Sequence, residues 1–259
     1  MIVIKNKQAL AKMRVAGEKL SRVMESVKPL IVPGVSTLEI DSFLEKGLRE
    51  KGLHPVCKGY GSYKHASCIS VNDAVVHGIP SDEIILQDGD CVSVDLVGSY
   101  KGYCADMART FLVGAKSSDR VERLIEAAQV ALDVGLSLVK PGVHLSDVSA
   151  AIQKEVESRG FGVIRDFVGH GIGKDLHEDP QVPNFGKSGK GPILREGMTL
   201  AIEPMITEKK YKVSVQPDGW TVKTVDGGWA AHVEDTIVVL ADGCGILTRF
   251  DDNDVKGNV

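Results

Sequence analysis

Asp95 and Asp106 lie on either side of the stretch LVGSYKGYCA. If the flanking runs fold back as a hairpin around Gly98 to Gly102, centred between Tyr100 and Lys101, the two carboxylates face each other across the ladder. Directly opposed Cβ atoms stand about 4.5–5.5 Å apart, where like charges are destabilising. A shared divalent cation removes that repulsion. Two aspartates beside a turn are, on their own, commonly solvated surface groups, but two further acids argue against that here. Glu203 sits in the apolar run AIEPM, where an unpaired carboxylate is expensive to bury. Glu234 enters the run AAHVEDTIVVL, with His232 on its own face of the strand and Val233 and Ile237 on the other. Four carboxylates in one pocket do not all stay ionised without metal, and two ions are expected.

The histidines extend the set. In DFVGHGIGKDLHEDP, Asp166 to Pro180, His170 can give one ion a nitrogen ligand, with Gly169 and Gly171 letting the backbone come close. One imidazole among four carboxylates makes a hard, oxygen-rich site that favours Mn, Fe or Co over a thiolate-type zinc site. Two close ions can share a water, lower its pKa and polarise a carbonyl, which is the chemistry of hydrolysis. His77 in HGIP and His177 in HEDP resemble each other and are placed to flank the ions as hydrogen-bond partners of a substrate.

These residues must be positioned by an internally repeated frame. VPGVSTLEIDSFLEKGLREKG from Val32 is echoed by KPGVHLSDVSAAIQKEVESRG from Lys140, pairing Pro33 with Pro141 and Gly52 with Gly160 at an offset of 108. The same offset of 108 overlays ILQDGDCVSVDL on ILREGMTLAIEP, matching Gly89 with Gly197 and Asp95 with Glu203. A single duplication of this length implies two related halves. Each half reads as helices followed by strands. Lys7 to Val27 carries Leu10, Met13, Leu20, Met24 and Val27 at helical spacing, and Val121 to Val139 and Ser146 to Arg159 repeat the pattern. The helix between Ser36 and Gly52 opens with a capping box of Ser36 and Glu39. CVSVDLV, ARTFLV, MTLAIEPMI and DTIVVL read as strands. Helices grouped ahead of strands predict an α+β fold with antiparallel ribbons. One catalytic domain, 1–259, is expected, with repeat units of about 5–113 and 118–247 and a frayed polar tail from Asp251 to Val259.

Net charge of −4 gives no basic face for a nucleic acid partner. No apolar stretch is long enough to cross a bilayer, and the start MIVIKNKQALAKMR lacks the pattern of a secretory signal. The five cysteines, Cys57, Cys68, Cys91, Cys104 and Cys244, are odd in number and form no CxxC pair. That fits small buried hydrophobes in a reducing compartment, and a cytoplasmic address is expected. No exposed apolar stripe argues for an oligomer, so a monomer is expected.

FVGHGIGKDLHEDPQVPNF, GMTLAIEPM, VSVDLVGSYKGYCADMARTF and AAHVEDTIVV resemble the motifs of methionine aminopeptidases of type I, bacterial-like, over about Lys5 to Leu247. The resemblance implies the pita-bread α+β fold, two pseudo-symmetric halves around a dimetal centre of Co, Mn, Fe or Zn. It implies that Asp95 chelates the first ion, Asp106 and Glu234 bridge the pair, and His170 with Glu203 completes the second. Glu203 would be general acid/base for the attacking hydroxide, His77 would contact the scissile amide nitrogen or the residue after it, and His177 the scissile carbonyl. The methionine side chain would sit among Cys57, Tyr60, Tyr63, Cys68, His77, Phe167 and Trp220. The implied substrate is the N-terminal methionine of nascent polypeptides with a small second residue, and the ribosome is a candidate partner. An Xaa-Pro peptidase of the same fold and a non-catalytic peptide- or ribosome-binding relative are the alternatives; the short chain fits the first poorly, and the complete ligand set argues against the second. Three positions depart from the family pattern. Leu176 stands where many relatives carry an aromatic, Val97 replaces a commonly polar residue near Asp95, and His232 replaces a frequent glutamine.

Overall fold

Among the described residues, four α-helices form where their caps and periodicity place them. α1 (Lys7–Val27) starts at Asn6, whose side chain accepts the Ala9 amide, and α2 (Thr37–Glu50) starts at the reciprocal box of Ser36 and Glu39. α3 (Asp119–Ser137) is capped by Ser118, and at α4 (Leu145–Ser158) the Asp147 carboxylate accepts from the His144 amide at 3.1 Å. Such caps satisfy amides that the first turn leaves without partners, and each is worth about 1 kcal/mol. The computed structural model describes residues 1–115 and 118–249; the tail expected to fray lies outside them. Among the described residues no helix is long and apolar enough to cross a membrane.

A nine-stranded antiparallel sheet carries the helices on one face. Its order is His54–Pro55, Cys91–Tyr100, Tyr103–Leu112, Glu234–Leu240, Thr199–Ile202, Gly169–Gly171 and Glu178–Val182. Ser67–Val71 adds to Cys91–Tyr100, and Gly243–Ile246 adds to Glu234–Leu240. Alternation of side chains along a strand then sorts the residues. Val92, Val94, Leu96 and Met107 pack under α1 and α2 with Leu20, Met24, Ile40 and Leu44. Leu200, Ile202, Ile237 and Val239 pack under α3 and α4 with Leu124, Leu132, Val148 and Ile152. The residues between them point to the opposite face, where the acids lie. Single bridges Ser36–Ile85 and His144–Ile193 tie the starts of α2 and α4 to a point ahead of a strand.

Two expectations need correction. The hairpin turns at Lys101 and Gly102, whose φ values of 49° and 76° make the two-residue turn that matches strand twist. Tyr100 pairs with Tyr103, so Asp95 lies opposite Ala108, and Asp106 opposite Val97. The two aspartates are therefore diagonal neighbours rather than directly opposed. A slip of two residues keeps both on one face. The run MTLAIEPMI is also not one strand. Thr199–Ile202 belongs to the large sheet, and Met205–Thr207 joins a three-stranded sheet with Ala230–His232 and Gly162–Val163. Pro204, which has no amide to give a ladder, marks the change with Glu203 beside it. AAHVEDTIVVL divides in the same way at Val233, between Ala230–His232 and Glu234–Leu240.

Candidate metal centre and active site

Sheet register brings the five expected ligands onto one face. One row across the strands runs Cys68, Asp95, Ala108, Glu234. Thr236, Ala201 and His170 form a neighbouring row, and Glu203 lies two residues beyond Ala201 on the same face. Ala108 and Ala201, both fully buried, form a low floor between the carboxylates. The glycines around His170 are there for close approach: a Cβ on Gly169 would stand 2.4 Å from Ala201 O, and one on Gly171 2.1 Å from Asp179 O. Only glycine lets the Gly169–Gly171 strand fit between its neighbours.

The geometry inside the cluster suits a cation. His170 Nδ1 lies 2.9 Å from the Gly171 carbonyl, which can only accept, so Nδ1 carries the proton and Nε2 keeps its lone pair. That Nε2 lies 3.7 Å from Asp106 Oδ2 and 3.6 Å from Glu203 Oε1. Two groups offer ligand atoms all within 4.8 Å of one another: Asp106, His170 and Glu234, and Glu203, His232 and Glu234. Asp95 is in neither triad but borders the same space beside Asp106. Asp95 Oδ1, Asp106 Oδ1, Glu234 Oε1 and His232 Nε2 are buried without hydrogen-bond partners. Orphaned polar atoms of this kind call for a partner. Burial pushes all four carboxyls up: Asp95 to about 6 and Glu203 to about 7, with Asp106 and Glu234 well above their ordinary range under the added repulsion of the neighbouring acids. A divalent ion reverses that electrostatic penalty, and the donor set of carboxylates with imidazole fits one.

A cavity of about 140 Å³ opens against this wall, lined by Cys57, Tyr60, Tyr63, Cys68, His77, Asp95, Val97, Asp106, Leu176, His177 and Trp220. Six of the residues expected around a methionine side chain are therefore together. Phe167 is placed elsewhere, on an adjoining cavity with His170, Glu203 and His232. His77 lines both cavities, its ring centroid 5.6 Å from Phe167 and 6.4 Å from Trp220. His77 holds a left-handed φ of 58°, a strained conformation of the kind that collects at functional sites. Burial lowers its pKa to about 4, and burial also lowers that of His177, so both are neutral imidazoles near pH 7. His177 Nδ1 pairs with the Tyr60 hydroxyl at 2.8 Å. Leu176 lines the first cavity, as does Val97, directly opposite Asp106.

Sequence reasoning missed the groups that hold the acids in place. Arg109 donates to the Glu234 carbonyl at 2.5 Å and to Asp235 Oδ1 at 2.7 Å, while Arg249 reaches Asp235 Oδ2 at 2.7 Å. Asn184 donates to the Glu203 carbonyl at 2.9 Å. Asp235 is fully buried on the helix side of the strand, and an acid inside DTIVVL was the available signal that a buried cation faces it.

Fold, acid cluster and imidazoles together define a metallopeptidase of the two-halved antiparallel type. Residues 11–241 match the model of metallopeptidase family M24, and the chain belongs to that family. It is similar to methionine aminopeptidase 1 of Bacillus subtilis (strain 168), 45% identical over 249 residues that cover 96% of this chain and 100% of that one. The solved methionine aminopeptidase of Thermotoga maritima superposes with a TM-score of 0.95 at 45% identity, covering 96% of this chain and 100% of that chain. The prolidase of Pyrococcus furiosus shares the fold, with a TM-score of 0.78 at 22% identity, covering 96% of this chain but 66% of the other.

Proposed function

We propose that this chain is an aminopeptidase that removes the N-terminal methionine of peptides and nascent polypeptides when the second residue is small. In this proposal Asp95, Asp106, His170, Glu203 and Glu234 hold two divalent ions. One observation carries it: the apolar cavity and the ligand cluster share a wall, because Asp95 and Asp106 line both. A side chain that fills the cavity brings its own α-amino group and first peptide bond beside the carboxylates. A thioether suits the lining, where Tyr63 and Trp220 meet edge to face with centroids 5.0 Å apart, because polarizable sulfur packs well on aromatic edges.

When bound, divalent ions supply a water of lowered pKa and polarise the scissile carbonyl. Glu203 moves the proton, taking it from the attacking water and delivering it to the leaving amine. His177, held through Nδ1 by Tyr60, presents Nε2 to the carbonyl. His77 contacts the amide nitrogen or the residue after it. We further propose one catalytic domain, with repeat units of about 5–113 and 118–247, acting as a monomer in the cytoplasm at the ribosome, with ions drawn from Co, Mn, Fe or Zn. The equal spacing of the Ser36–Ile85 and His144–Ile193 bridges supports the repeat.

The test is one assay on chelator-stripped protein, with Mn, Co, Fe(II) or Zn added back and Met-Ala-Ser offered beside Ala-Pro-Ser. Release of methionine alone, restored by metal, is expected. Cleavage of the proline peptide instead would move the chain to the Xaa-Pro peptidases, and metal binding with no cleavage would leave a binding protein.

A further inference from the structure

Glu203 has an imidazole on each of its oxygens. His170 Nε2 stands 3.6 Å from Oε1, and His232 Nε2 stands 3.4 Å from Oε2 and 4.0 Å from Glu234 Oε2. His232 is 2% exposed, at the end of Ala230–His232. Its backbone is pinned: the amide lies 3.2 Å from Ser93 Oγ and 3.0 Å from Thr110 Oγ1, and its carbonyl accepts from the Thr110 hydroxyl at 2.7 Å. The ring's Nε2 nonetheless has no hydrogen-bond partner. A buried polar atom left unpaired is destabilising, so this atom is aimed at something.

Spacing says what. Ligand atoms about 2.1 Å from a common ion lie about 3.0–3.4 Å apart when adjacent and about 4.2 Å apart when opposite. The separations of 3.4 and 4.0 Å from His232 Nε2 to the two glutamates fall in that range. His170 with Asp106 and Glu234 makes the other triad of mutually close donors. Resting on the two-ion reading above, we propose that His232 Nε2 is a metal donor, so that each ion takes one imidazole, His170 on one side of Glu203 and His232 on the other. Two imidazoles among the carboxylates tilt the centre toward Zn and Fe and away from Mn.

Counting bound imidazoles tests this. Full-length protein stripped with chelator is loaded with two equivalents of Co(II), and its proton NMR spectrum is recorded in H2O and in D2O. The ring N–H of each Co(II)-bound imidazole appears far downfield and vanishes in D2O. Two such signals are expected in the wild type and one in His232→Gln. Calorimetry should show the second Co(II) binding His232→Gln about tenfold more weakly, but the signal count separates coordination from a hydrogen bond to Glu203. One signal in the wild type, unchanged by His232→Gln and lost in His170→Gln, overturns the proposal and leaves a dimetal centre standing. Failure of the wild type to bind Co(II) overturns both.

Discussion

At Glu203, burial and the facing His170 act in opposite directions, the first raising the carboxyl and the second pulling it back, to about 7. That value belongs to the metal-free site; bound ions would pull it down, leaving a carboxylate ready to take a proton from water and pass it on. Glu203→Gln keeps the shape and removes both the charge and the proton carrier. Turnover of Met-Ala-Ser is expected to fall by about 10²- to 10⁴-fold, with the circular dichroism spectrum unchanged. Turnover near that of the wild type would remove Glu203 from its role. The same residue scale explains what Leu176 and Val97 do: both are apolar parts of the cavity wall, and neither offers an atom to an ion.

The elements decide whether those side chains meet. Gly171 lies where the Gly169–Gly171 strand passes the Asp179 carbonyl, and a Cβ there would stand 2.1 Å from that oxygen. Gly171→Ala must therefore push the strand, and His170 with it. A loss of about 1–3 kcal/mol in denaturant unfolding is expected, together with a fall in kcat; unchanged stability would mean that the strand has room. Much of this level was legible in the sequence. Helical periodicity and the capping box placed α1 and α2, and the offset of 108 pointed to Asp95 and Glu203 as counterparts. The register was not legible, because it depends on where a two-residue turn falls, and Lys101 gives no sign that it accepts a positive φ. Nor were the divisions at Pro204 and Val233, since an apolar run does not say which of two sheets each half will join. Phe167 sits beside the right residues in sequence, yet it lines the adjoining cavity, while His77 lines both.

For the whole molecule, the cluster links stability to pH and to metal. Without an ion, the folded chain keeps Asp95, Asp106, Glu203 and Glu234 protonated to higher pH than the unfolded chain does. It then binds more protons than the unfolded state, and stability falls as pH rises. His77, His170, His177 and His232, all lowered, oppose this trend until the unfolded chain's imidazoles have lost their protons, about one pH unit above their ordinary value of 6.5. Above about pH 7.5 the raised carboxyls act alone. Scanning calorimetry of the chelated protein is expected to give a lower Tm at about pH 8.5 than at about pH 7.5. Saturating Mn(II) should close that gap, since the ion prefers ionised carboxylates and adds about 2.7 kcal/mol at a hundredfold excess over Kd. A chelated protein with equal Tm at both pH values would mean that the acids are solvated.

Glu203 and Glu234 stand at two of the places where the chain crosses between the large sheet and the small one. The spacing of the two glutamates is thus set by how the Met205–Thr207 and Ala230–His232 ladder is seated against the large sheet. A catalyst built this way can be retuned without touching a ligand. An exchange as remote as Val163, which pairs with Ile206, is expected to reseat the small sheet and so alter the gap between carboxylates, which competition between Mn(II) and Zn(II) in calorimetry would read. Metal preference becomes a trait that drift in an outlying ladder can alter, while the residues that do the chemistry stay the same.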